Sequence, residues 1–410
     1  MKKVAIVTSG YLPVPATRGG GVEVLDEYLI KENEKKKYLN LTIFSSDDVE
    51  AKKSLKNYKY TSAIFIKTPR YIQVIDKIIF KFVNNILKKT NSNSYRYILQ
   101  RIYYINKVSR NLSKINYDSL VLENHATLFS VLRKHGNFQR YFGKYYFHLH
   151  NEVKNSFRND KYIQNVTKVL GVSEYINSTL RKKFPSMTSR QFTVVRNAVD
   201  SKRFAFDLSL NDKNKIRDDL KLPRNSFVFL YTGRLNKEKG ILEAITAFKK
   251  ANIENAIFLV VGSAFFDTDI KSNFEIKLKT LIETMDHRVR FTGYIPNEKL
   301  GSIYAVADVC VIPSIWEDPA PLTVLEAITA GKAIITTNSG GIPEYVNKKN
   351  SIIIDRKVNV ICNLERSFKK VYNDKKSIER MEIESKSIRK KLTLGIFYKQ
   401  FVNSLNPNPK

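Results

Sequence analysis

The stretch Pro313-Ser314-Ile315-Trp316-Glu317-Asp318-Pro319-Ala320-Pro321-Leu322-Thr323-Val324-Leu325-Glu326-Ala327 decides the fold and the chemistry expected of this chain. It follows an apolar strand pattern, is broken by prolines and enters a helical pattern, with acidic residues in the loop and Glu326 in the helix. The first amides of a helix have no partners within the helix and carry partial positive charge. They can bind phosphate while the carboxylates accept hydrogen bonds from sugar hydroxyls. The segment therefore predicts a nucleotide diphosphate sugar as the ligand.

Short apolar runs alternate with longer helical patterns on both sides of this segment. The predicted strands contain residues 4–7, 41–44, 120–122, 145–148, 169–172 and 193–195, followed by 227–231, 257–261, 289–291, 309–312, 334–336 and 351–353. Such alternation predicts parallel sheets with crossover helices. We therefore predict an α/β protein of two Rossmann-like, doubly wound domains that face each other across a cleft at the carboxyl ends of their strands.

The length of 410 residues suits two domains rather than one core. We predict an N-terminal acceptor-binding domain over residues 1–200 and a donor-binding domain over residues 225–387, joined by a charged linker over residues 201–224. A C-terminal helical pattern over residues 388–410 is expected to cross back and complete the first domain.

The composition is strongly basic, with 70 Lys and Arg against 39 Asp and Glu and a formal net charge of +31. This charge suits nucleic acid, anionic lipid or an anionic substrate and does not choose among them. The apolar run Val4–Val7 is far too short to span a membrane, so we predict a cytoplasmic protein without a transmembrane helix. Cys310 and Cys362 lie beside Val or Ile and are predicted to be buried free thiols.

Two glycine-containing loops follow predicted strands of the second domain. The first, residues 232–240, carries Arg234 and Lys239. Arg can bind two phosphate oxygens at once and Lys supplies a mobile point charge, although the loop taken alone could equally be a solvated basic turn. The second loop, residues 337–344, contains the pair Gly340-Gly341, which permits close approach of the backbone to a ligand.

Taken together and in this order, these segments resemble the retaining GT-B glycosyltransferases of family 4, and the resemblance covers nearly the whole chain. It rests on Arg234 with Lys239 five residues on, the acidic segment ending at Glu326, the turn Gly340-Gly341-Ile342-Pro343-Glu344, and Val195-Arg196-Asn197-Ala198-Val199-Asp200. The resemblance implies the GT-B fold.

The resemblance also implies roles for the donor-side residues. Arg234 and Lys239 would neutralise the donor diphosphate, and Glu326 would hold the nucleotide ribose. Asp318 stands where the family has a glutamate that contacts the donor sugar, so Asp318 or its neighbour Glu317 takes that contact. The remaining implied donor-side residues are Leu322 and Thr323 at the phosphates, Tyr294 near the base, and Gly20, Gly21 and Gly262 in glycine-containing loops. The residue two after Gly262 is Ala264, where the family pattern leads us to expect a second glycine.

In the first domain, a predicted strand ends in His148-Leu149-His150-Asn151. Alternation places both histidines on one side of an extended chain. The resemblance favours His150 as the residue that faces the transferred sugar, and a buried structural histidine is the alternative. The acceptor-side candidates are Glu123, Asn124, His125 and Asn151. No cysteine or third ligand accompanies the histidines at metal spacing, so no metal site is predicted.

Residues 77–114 carry nine Lys and Arg side chains and no Asp or Glu, interleaved with aromatic and aliphatic residues. This pattern suits the surface of an anionic bilayer. It equally suits a core-packed helix pair with a solvated basic face. On the membrane interpretation, the acceptor is a lipid-linked sugar at the cytoplasmic leaflet.

We therefore expect a metal-independent, retaining transfer of a sugar from a nucleotide diphosphate sugar, taken as a UDP-sugar, to a glycan or lipid-linked acceptor in cell-surface polysaccharide synthesis. The catalytic candidates are His150, Arg234, Lys239 and Asp318. No cofactor and no specific nucleic acid is expected, and the protein is placed in the cytoplasm, peripherally on the inner face of the membrane. The alternatives are a nucleotide-sugar epimerase of the same architecture, a basic nucleic-acid-binding protein, and an inactive partner subunit that binds donor without turnover.

Overall fold

The computed structural model describes residues 1–85, 97–262, 273–283, 285 and 287–406. The chain divides into two compact units, which we call unit 1 (Met1–Arg196 with Phe397–Lys410) and unit 2 (Asn197–Ile396). The division falls between residues 196 and 197, and the segment 201–224, predicted as a linker, lies within unit 2.

Unit 1 contains a parallel sheet in the order β3-β2-β1-β4-β5-β6-β7. Its strands are β1 (Lys2–Val7), β2 (Leu39–Ser46), β3 (Thr61–Ile66), β4 (Ser119–Glu123), β5 (Tyr145–Leu149), β6 (Lys168–Gly171) and β7 (Phe192–Val194). Every strand predicted in this series lies in the sheet. The sequence analysis missed β3, an edge strand that is only partly buried, although its residues 63–66 form a short apolar run.

The helices of unit 1 connect these strands. They are α1 (Gly21–Lys36), α2 (Val49–Leu55), α3 (Arg70–Asn85), α4 (Ile98–Lys114), α5 (Asn137–Tyr141), α6 (Asp160–Gln164) and α7 (Glu174–Lys183), with 3₁₀ helices at Ala126–Arg133 and Ser189–Gln191.

Unit 2 contains a second parallel sheet in the order β10-β9-β8-β11-β12-β13. Its strands are β8 (Phe227–Thr232), β9 (Ala256–Val261), β10 (Val289–Gly293), β11 (Val309–Ile312), β12 (Ala333–Thr337) and β13 (Ser351–Ile354). Alternate residues of β8 enter opposite hydrophobic clusters, Phe229 on one face and Val228 with Leu230 on the other. The sheet is therefore buried on both faces, as is typical of parallel sheets.

Short and long helices cover the sheet of unit 2. They are α8 (Ser201–Phe204), α9 (Leu210–Asp219), α10 (Ile241–Ala251), α11 (Asn273–Glu283), α12 (Asn297–Val306), α13 (Leu322–Thr329), α14 (Val360–Asn373) and α15 (Lys375–Arg389), with 3₁₀ helices at Lys237–Lys239 and Ile342–Glu344. Helices α8 and α9 lie in the predicted linker. Arg217 of α9 donates hydrogen bonds to the carbonyl oxygens of Pro223 (3.1 Å) and Ser226 (3.0 Å), which fixes this segment to the start of β8.

The last helix, α16 (Leu394–Ser404), begins at the end of unit 2, and from Phe397 onward the chain belongs to unit 1. The Tyr146 hydroxyl donates to the carbonyl oxygen of Leu405 (2.8 Å), and the ring of Phe401 lies 5.8 Å from that of His148. The C-terminal segment thus supports β5 of unit 1.

Both cysteines are free. Cys310 of β11 is buried as predicted, whereas the prediction of burial is wrong for Cys362, which is exposed. Cys362 lies on α14, an amphipathic helix whose buried face is formed by Leu364, Phe368 and Val371. Among the described residues, no helix is both long enough and apolar enough to cross a bilayer.

Candidate functional site

A small pocket of about 90 Å³ lies in unit 2 where β8 and β11 end. The order of the sheet reverses between these two neighbouring strands, and ligands of doubly wound sheets bind at such a switch point. The pocket is lined by Tyr231, Thr232, Gly233, Lys239, Ile312, Pro313, Ser314, Pro321, Leu322 and Thr323. The structure thus brings together Lys239, Leu322 and Thr323, three of the residues predicted on the donor side.

Helix α13 begins at this pocket. Its N-cap is Pro321, and no side chain caps the first turn. The amides of Leu322 and Thr323 are in the first turn of the helix, so they have no acceptor within it. The helix start therefore offers hydrogen-bond donors and partial positive charge to an anion.

The loop after β8 holds Lys239 in place through its own backbone. The Tyr231 hydroxyl donates to the carbonyl oxygen of Arg234 (2.8 Å), and the side chain of Asn236 accepts from the amide of Lys239 (3.2 Å). Gly240 has a φ of 70°, and a methyl group there would lie 1.9 Å from the carbonyl oxygen of Pro313. Glycine is thus required for this loop to pack against the acidic loop, residues 313–321. Arg234 is exposed.

The two carboxylates of the acidic loop have different partners. Asp318 is buried, forms an ion pair with Lys239 and accepts from the Ser314 hydroxyl (3.3 Å). Glu317 instead pairs with Arg356 and accepts from the amide of Gly340 (2.7 Å). Asp318 therefore lies against a cation of the pocket, whereas Glu317 ties the acidic loop to the turn after β12.

The turn at Gly340 and Gly341, predicted to approach a ligand, approaches the acidic loop. The amide of Gly341 donates to the carbonyl oxygen of Asp318 (2.9 Å). Gly340 has a φ of 52°, and a methyl group there would lie 2.3 Å from the same oxygen. The glycine pair thus fixes the backbone that carries Asp318.

Glu326 of α13 is linked to the end of β8 by hydroxyl groups. The hydroxyl of Tyr304 donates to Glu326 Oε2 (2.8 Å) and lies 2.6 Å from the hydroxyl of Thr232. Burial raises the pKa of Glu326 to about 7, and the hydrogen bond from Tyr304 only partly offsets this. Sequence analysis missed Tyr304 because it lies on α12, outside every motif. Thr232, directly before Gly233, could have been found from its position at the strand end.

Gly262 and Tyr294 lie on neighbouring loops. The amide of Gly262 donates to the carbonyl oxygen of Gly293 (3.0 Å), so the ends of β9 and β10 are joined. Tyr294 follows β10 and is 69% exposed. The expected effect of Ala264 on the Gly262 loop lies outside the described residues.

In unit 1 the ends of β4 and β5 bring two predicted site residues, Glu123 and His150, together with His148. We call these three residues the Glu123 cluster. Glu123 Oε1 lies 3.0 Å from His148 Nδ1, and Glu123 Oε2 lies 3.2 Å from His150 Nε2. The two imidazole rings are 4.2 Å apart, on one side of the chain as alternation predicts. All three side chains are buried.

The charges within the Glu123 cluster determine which of its groups are protonated. Burial alone would raise the pKa of Glu123, but the two imidazoles lower it to about 2. Burial and His148 lower the pKa of His150 to about 4, against the opposing effect of Glu123. At neutral pH an ionised Glu123 can only accept, so the proton of neutral His150 lies on Nε2 and its Nδ1 is an acceptor.

The sequence analysis predicted no metal site, and the Glu123 cluster is the part of unit 1 that concerns this prediction. Its three candidate ligand atoms lie within 4.8 Å of one another. The expectation that the histidines lack a third ligand was wrong, because β4 places Glu123 beside them although it is distant in sequence. Glu123 contacts both imidazoles at hydrogen-bond distances, whereas His148 Nε2 is buried without a partner among the described residues. The absence of a metal stays a prediction.

The other candidates of unit 1 surround this cluster or lie beside it. The side chain of Asn124 accepts from the amide of His150 (3.2 Å) and thereby orients it. The ring of His125 lies 5.8 Å from that of Tyr11, and burial lowers the pKa of His125 to about 4. Asn151 is exposed in the loop after β5.

The glycine loop of unit 1 forms the start of α1, with Gly20 as N-cap and Gly21 as the first helical residue. The Ser9 hydroxyl donates to Glu23 in this first turn (3.1 Å). Asp26, one turn on, was not predicted as notable. Its carboxylate oxygens are buried without a hydrogen-bond partner among the described residues, and burial raises its pKa well above the usual range.

Comparison with known proteins agrees with this architecture. Residues 212–388 match the family model described as glycosyl transferases group 1. Spore coat protein SA of Bacillus subtilis (strain 168) is 26% identical over 368 residues, which cover 86% of this chain and 85% of that protein. An Escherichia coli protein, UDP-Gal:alpha-D-GlcNAc-diphosphoundecaprenol alpha-1,3-galactosyltransferase, is 33% identical over 215 residues, half of each chain.

Solved structures show the same fold over the full length. Anabaena HepE in complex with UDP-glucose aligns with a TM-score of 0.74 and 17% identity, covering 99% of each chain. WaaG, a glycosyltransferase involved in lipopolysaccharide biosynthesis, aligns with a TM-score of 0.62 and 16% identity, covering 98% of each chain. Residues 212–388 therefore belong to the glycosyl transferases group 1 family, and the chain as a whole has the fold of the GT-B glycosyltransferases.

Proposed function

We propose that this protein is a retaining, metal-independent glycosyltransferase that moves a sugar from a UDP-sugar to a glycan or lipid-linked acceptor in cell-surface polysaccharide synthesis. The observation that carries the proposal is the pocket of unit 2, where Lys239 and the uncapped start of α13 lie together at the switch point of the sheet. The family match over residues 212–388 supports the same class of reaction.

The donor diphosphate is assigned to the pocket of unit 2. The amides of Leu322 and Thr323 would donate to its oxygens, with Lys239 and Arg234 supplying positive charge. Glu326 would accept hydrogen bonds from the ribose hydroxyls, held in position by Tyr304. Asp318 would contact the hydroxyls of the donor sugar, while Glu317 has its own partners in Arg356 and Gly340. The complex of HepE with UDP-glucose supports UDP as the nucleotide.

In the reaction, the bond between the anomeric carbon and the diphosphate oxygen breaks, and the acceptor hydroxyl forms its new bond on the same face of the sugar. The acceptor proton passes to an oxygen of the departing diphosphate, so no protein base is required. Lys239, Arg234 and the start of α13 stabilise the negative charge that develops on UDP, which is the task of a divalent ion in metal-dependent enzymes.

His150 is assigned to the transferred sugar. Its Nε2 proton is held by Glu123, so Nδ1 can accept a hydrogen bond from a sugar hydroxyl but cannot donate one. The other residues at the ends of β4 and β5, Asn124, His125 and Asn151, are assigned to the acceptor side. The glycine loop at Gly20 and Gly21 is assigned to the donor phosphates.

The acceptor and the cellular role rest on the names of relatives. The Escherichia coli relative is named for a diphosphoundecaprenol acceptor, and WaaG is named for lipopolysaccharide biosynthesis. With a lipid-linked acceptor, the protein would work peripherally on the inner face of the membrane. The family match does not favour the alternatives of an epimerase or a nucleic-acid-binding protein.

The first experiment is a thermal-shift screen of the whole protein with nucleotide sugars, because a ligand that binds only the native state raises its stability. UDP-sugars should raise the melting temperature, with and without EDTA. Arg234→Ala should lower transfer about 100-fold or more, as is typical for the loss of one charge-stabilising donor. The matched control is Lys237→Ala, an exposed cation of the same loop, which should leave transfer unchanged. A normally folded Arg234→Ala protein with full activity would contradict the proposal.

A further inference from the structure

Helix α3 of unit 1 exposes a continuous apolar stripe. We call it the α3 stripe, and its members, with their exposed fractions, are Tyr71 (64%), Val74 (54%), Ile75 (43%), Ile78 (61%) and Phe82 (53%). At about 100° per residue these positions lie within an arc of roughly 100° on one side of the helix. The opposite side packs into unit 1 through Ile72, Asp76 and Val83. An exposed apolar surface of this kind marks a binding site.

One flank of the α3 stripe is positively charged. Arg70, Lys77 and Lys81 are exposed and fall along the same edge of the helix. A solvent-exposed helix with an apolar face beside a row of cations is typical of a helix that lies in a membrane interface. The flank would meet anionic headgroups while the stripe enters the apolar layer.

The acidic residue of α3 is used internally and does not offset this charge. Asp76 is buried, and its carboxylate accepts from the amides of Leu99 and Gln100, both at 2.9 Å. It therefore caps the start of α4 and holds the two helices together. Helix α4 has no Asp or Glu in its sequence, so the exposed charges of α3 and α4 are all basic.

A cavity of about 300 Å³ opens on the same flank, between α3 and the start of α4. It is lined by Gln73, Lys77, Phe80, Lys81, Tyr97 and Gln100. Two ammonium groups beside aromatic rings and amides suit a phosphate group that is attached to an apolar chain. The cavity and the stripe thus favour the same occupant, a phospholipid in a bilayer.

We infer that α3 docks unit 1 onto an anionic phospholipid bilayer, with the α3 stripe among the acyl chains and Lys77 and Lys81 on lipid phosphates. A second copy of this chain would oppose cations to cations at this flank, so charge disfavours a homodimer here. The inference deepens the proposed function, because a lipid-linked acceptor lies in such a bilayer, but its evidence is the surface of α3 and the cavity beside it.

The test is co-sedimentation of the full-length protein with vesicles, without nucleotide. Binding is expected to phosphatidylcholine vesicles containing phosphatidylglycerol and not to phosphatidylcholine alone, and salt should weaken it. The double variant Ile78→Asp/Phe82→Asp should lower the partition coefficient at least about tenfold. Lys77→Gln/Lys81→Gln should lower it by about tenfold or more on anionic vesicles. The matched control is Ile383→Asp, an apolar residue of unit 2 that is 67% exposed, which should bind as wild type.

Three results would overturn the inference. They are wild-type protein that does not sediment with anionic vesicles, binding that both double variants retain, and a dimer in solution that Ile78→Asp/Phe82→Asp dissolves. If Ile78→Asp/Phe82→Asp does not fold, Lys77→Gln/Lys81→Gln and the comparison of anionic with neutral vesicles still test the inference. The melting-temperature shift by a UDP-sugar is measured in parallel. Its absence would contradict the proposed function while leaving vesicle binding intact.

Discussion

The pocket of unit 2 and the Glu123 cluster of unit 1 both pair a buried carboxylate with basic side chains, but they differ in how far those side chains are exposed to solvent. In unit 2 the carboxylate of Asp318 faces Lys239, whose side chain is 20% exposed, beside a pocket with free helix amides. In unit 1 the carboxylate of Glu123 is fully buried and faces two buried imidazoles. In the proposed function the first arrangement presents charge to the donor, whereas the second uses charge to fix a proton. Removal of one partner at a time from each site tests this difference.

The largest effect is expected from Lys239→Ala. This substitution leaves the Asp318 carboxylate, which is only 5% exposed, without its cation. Removal of one partner of a buried ion pair lowers the free energy of unfolding by about 3 kcal/mol or more. We expect a marked fall in the urea midpoint together with loss of UDP-sugar binding.

The double variant Lys239→Ala/Asp318→Ala should recover much of the stability without recovering donor binding. A matched control is Arg356→Ala, since its partner Glu317 is 41% exposed and can be solvated. Its effect on the urea midpoint should be clearly smaller. Equal falls of the urea midpoint in Lys239→Ala and Arg356→Ala would show that the burial of Asp318 does not determine the loss of stability.

The second prediction concerns Glu123→Gln. A glutamine amide can donate as well as accept, so it no longer forces the proton of His150 onto Nε2. Loss of such an orienting partner typically costs about 10- to 100-fold in activity. We expect kcat to fall by that amount while the Kd of UDP is unchanged, because Glu123 is not among the proposed contacts of UDP.

The nitrogen-15 chemical shifts of the histidine rings report the tautomer directly and should show mixed protonation of His150 in Glu123→Gln. Glu32→Gln is the matched control, since Glu32 is a buried acid of unit 1 whose ion pair is with Lys35 and not with the Glu123 cluster. It should keep the wild-type tautomer and kcat. A wild-type tautomer in Glu123→Gln would disprove the positioning role.

The site segments that could be predicted from the sequence are those contiguous in the chain. The Arg234 loop, the acidic loop and the turn at Gly340 are contiguous motifs after apolar strands, so each is visible in the sequence. Both sheets could be predicted because their central strands are continuous apolar runs. The exposure of Cys362 was missed, because it depends on which side of α14 meets solvent.

The partners within each site were much less predictable. Glu123 and His148 are 25 residues apart, Tyr304 and Glu326 are 22 apart, and Lys239 and Asp318 are 79 apart. Parallel strands are joined by long crossovers, so residues that meet at strand ends are distant in the chain. The sequence identified candidate residues, while the pairing of their side chains came from the packing of strands and helices.

The smallest effect is a pH dependence of donor binding that arises from Glu326. Its pKa is raised to about 7, so the group is mostly protonated at pH 6 and mostly ionised at pH 8. The ionised form accepts hydrogen bonds from ribose hydroxyls, so the affinity for UDP-glucose should rise by about tenfold at most over this range. UDP-glucose is preferred to UDP as the probe, because a terminal phosphate itself titrates with a pKa near ~6.

Stability should change in the opposite direction. The folded protein holds the Glu326 proton more tightly than the unfolded chain, whose carboxyl has the ordinary pKa of 4.5, so the contribution of this group to stability falls as pH rises from 4.5 to about 7. Glu326→Gln should therefore show a flat affinity between pH 6 and pH 8 and a gain in melting temperature over wild type that grows with pH. Isothermal titration of UDP-glucose and thermal melts of both proteins test this. If Glu326→Gln keeps the wild-type pH profile of binding, another group titrates and Glu326 does not meet the ribose in its ionised form.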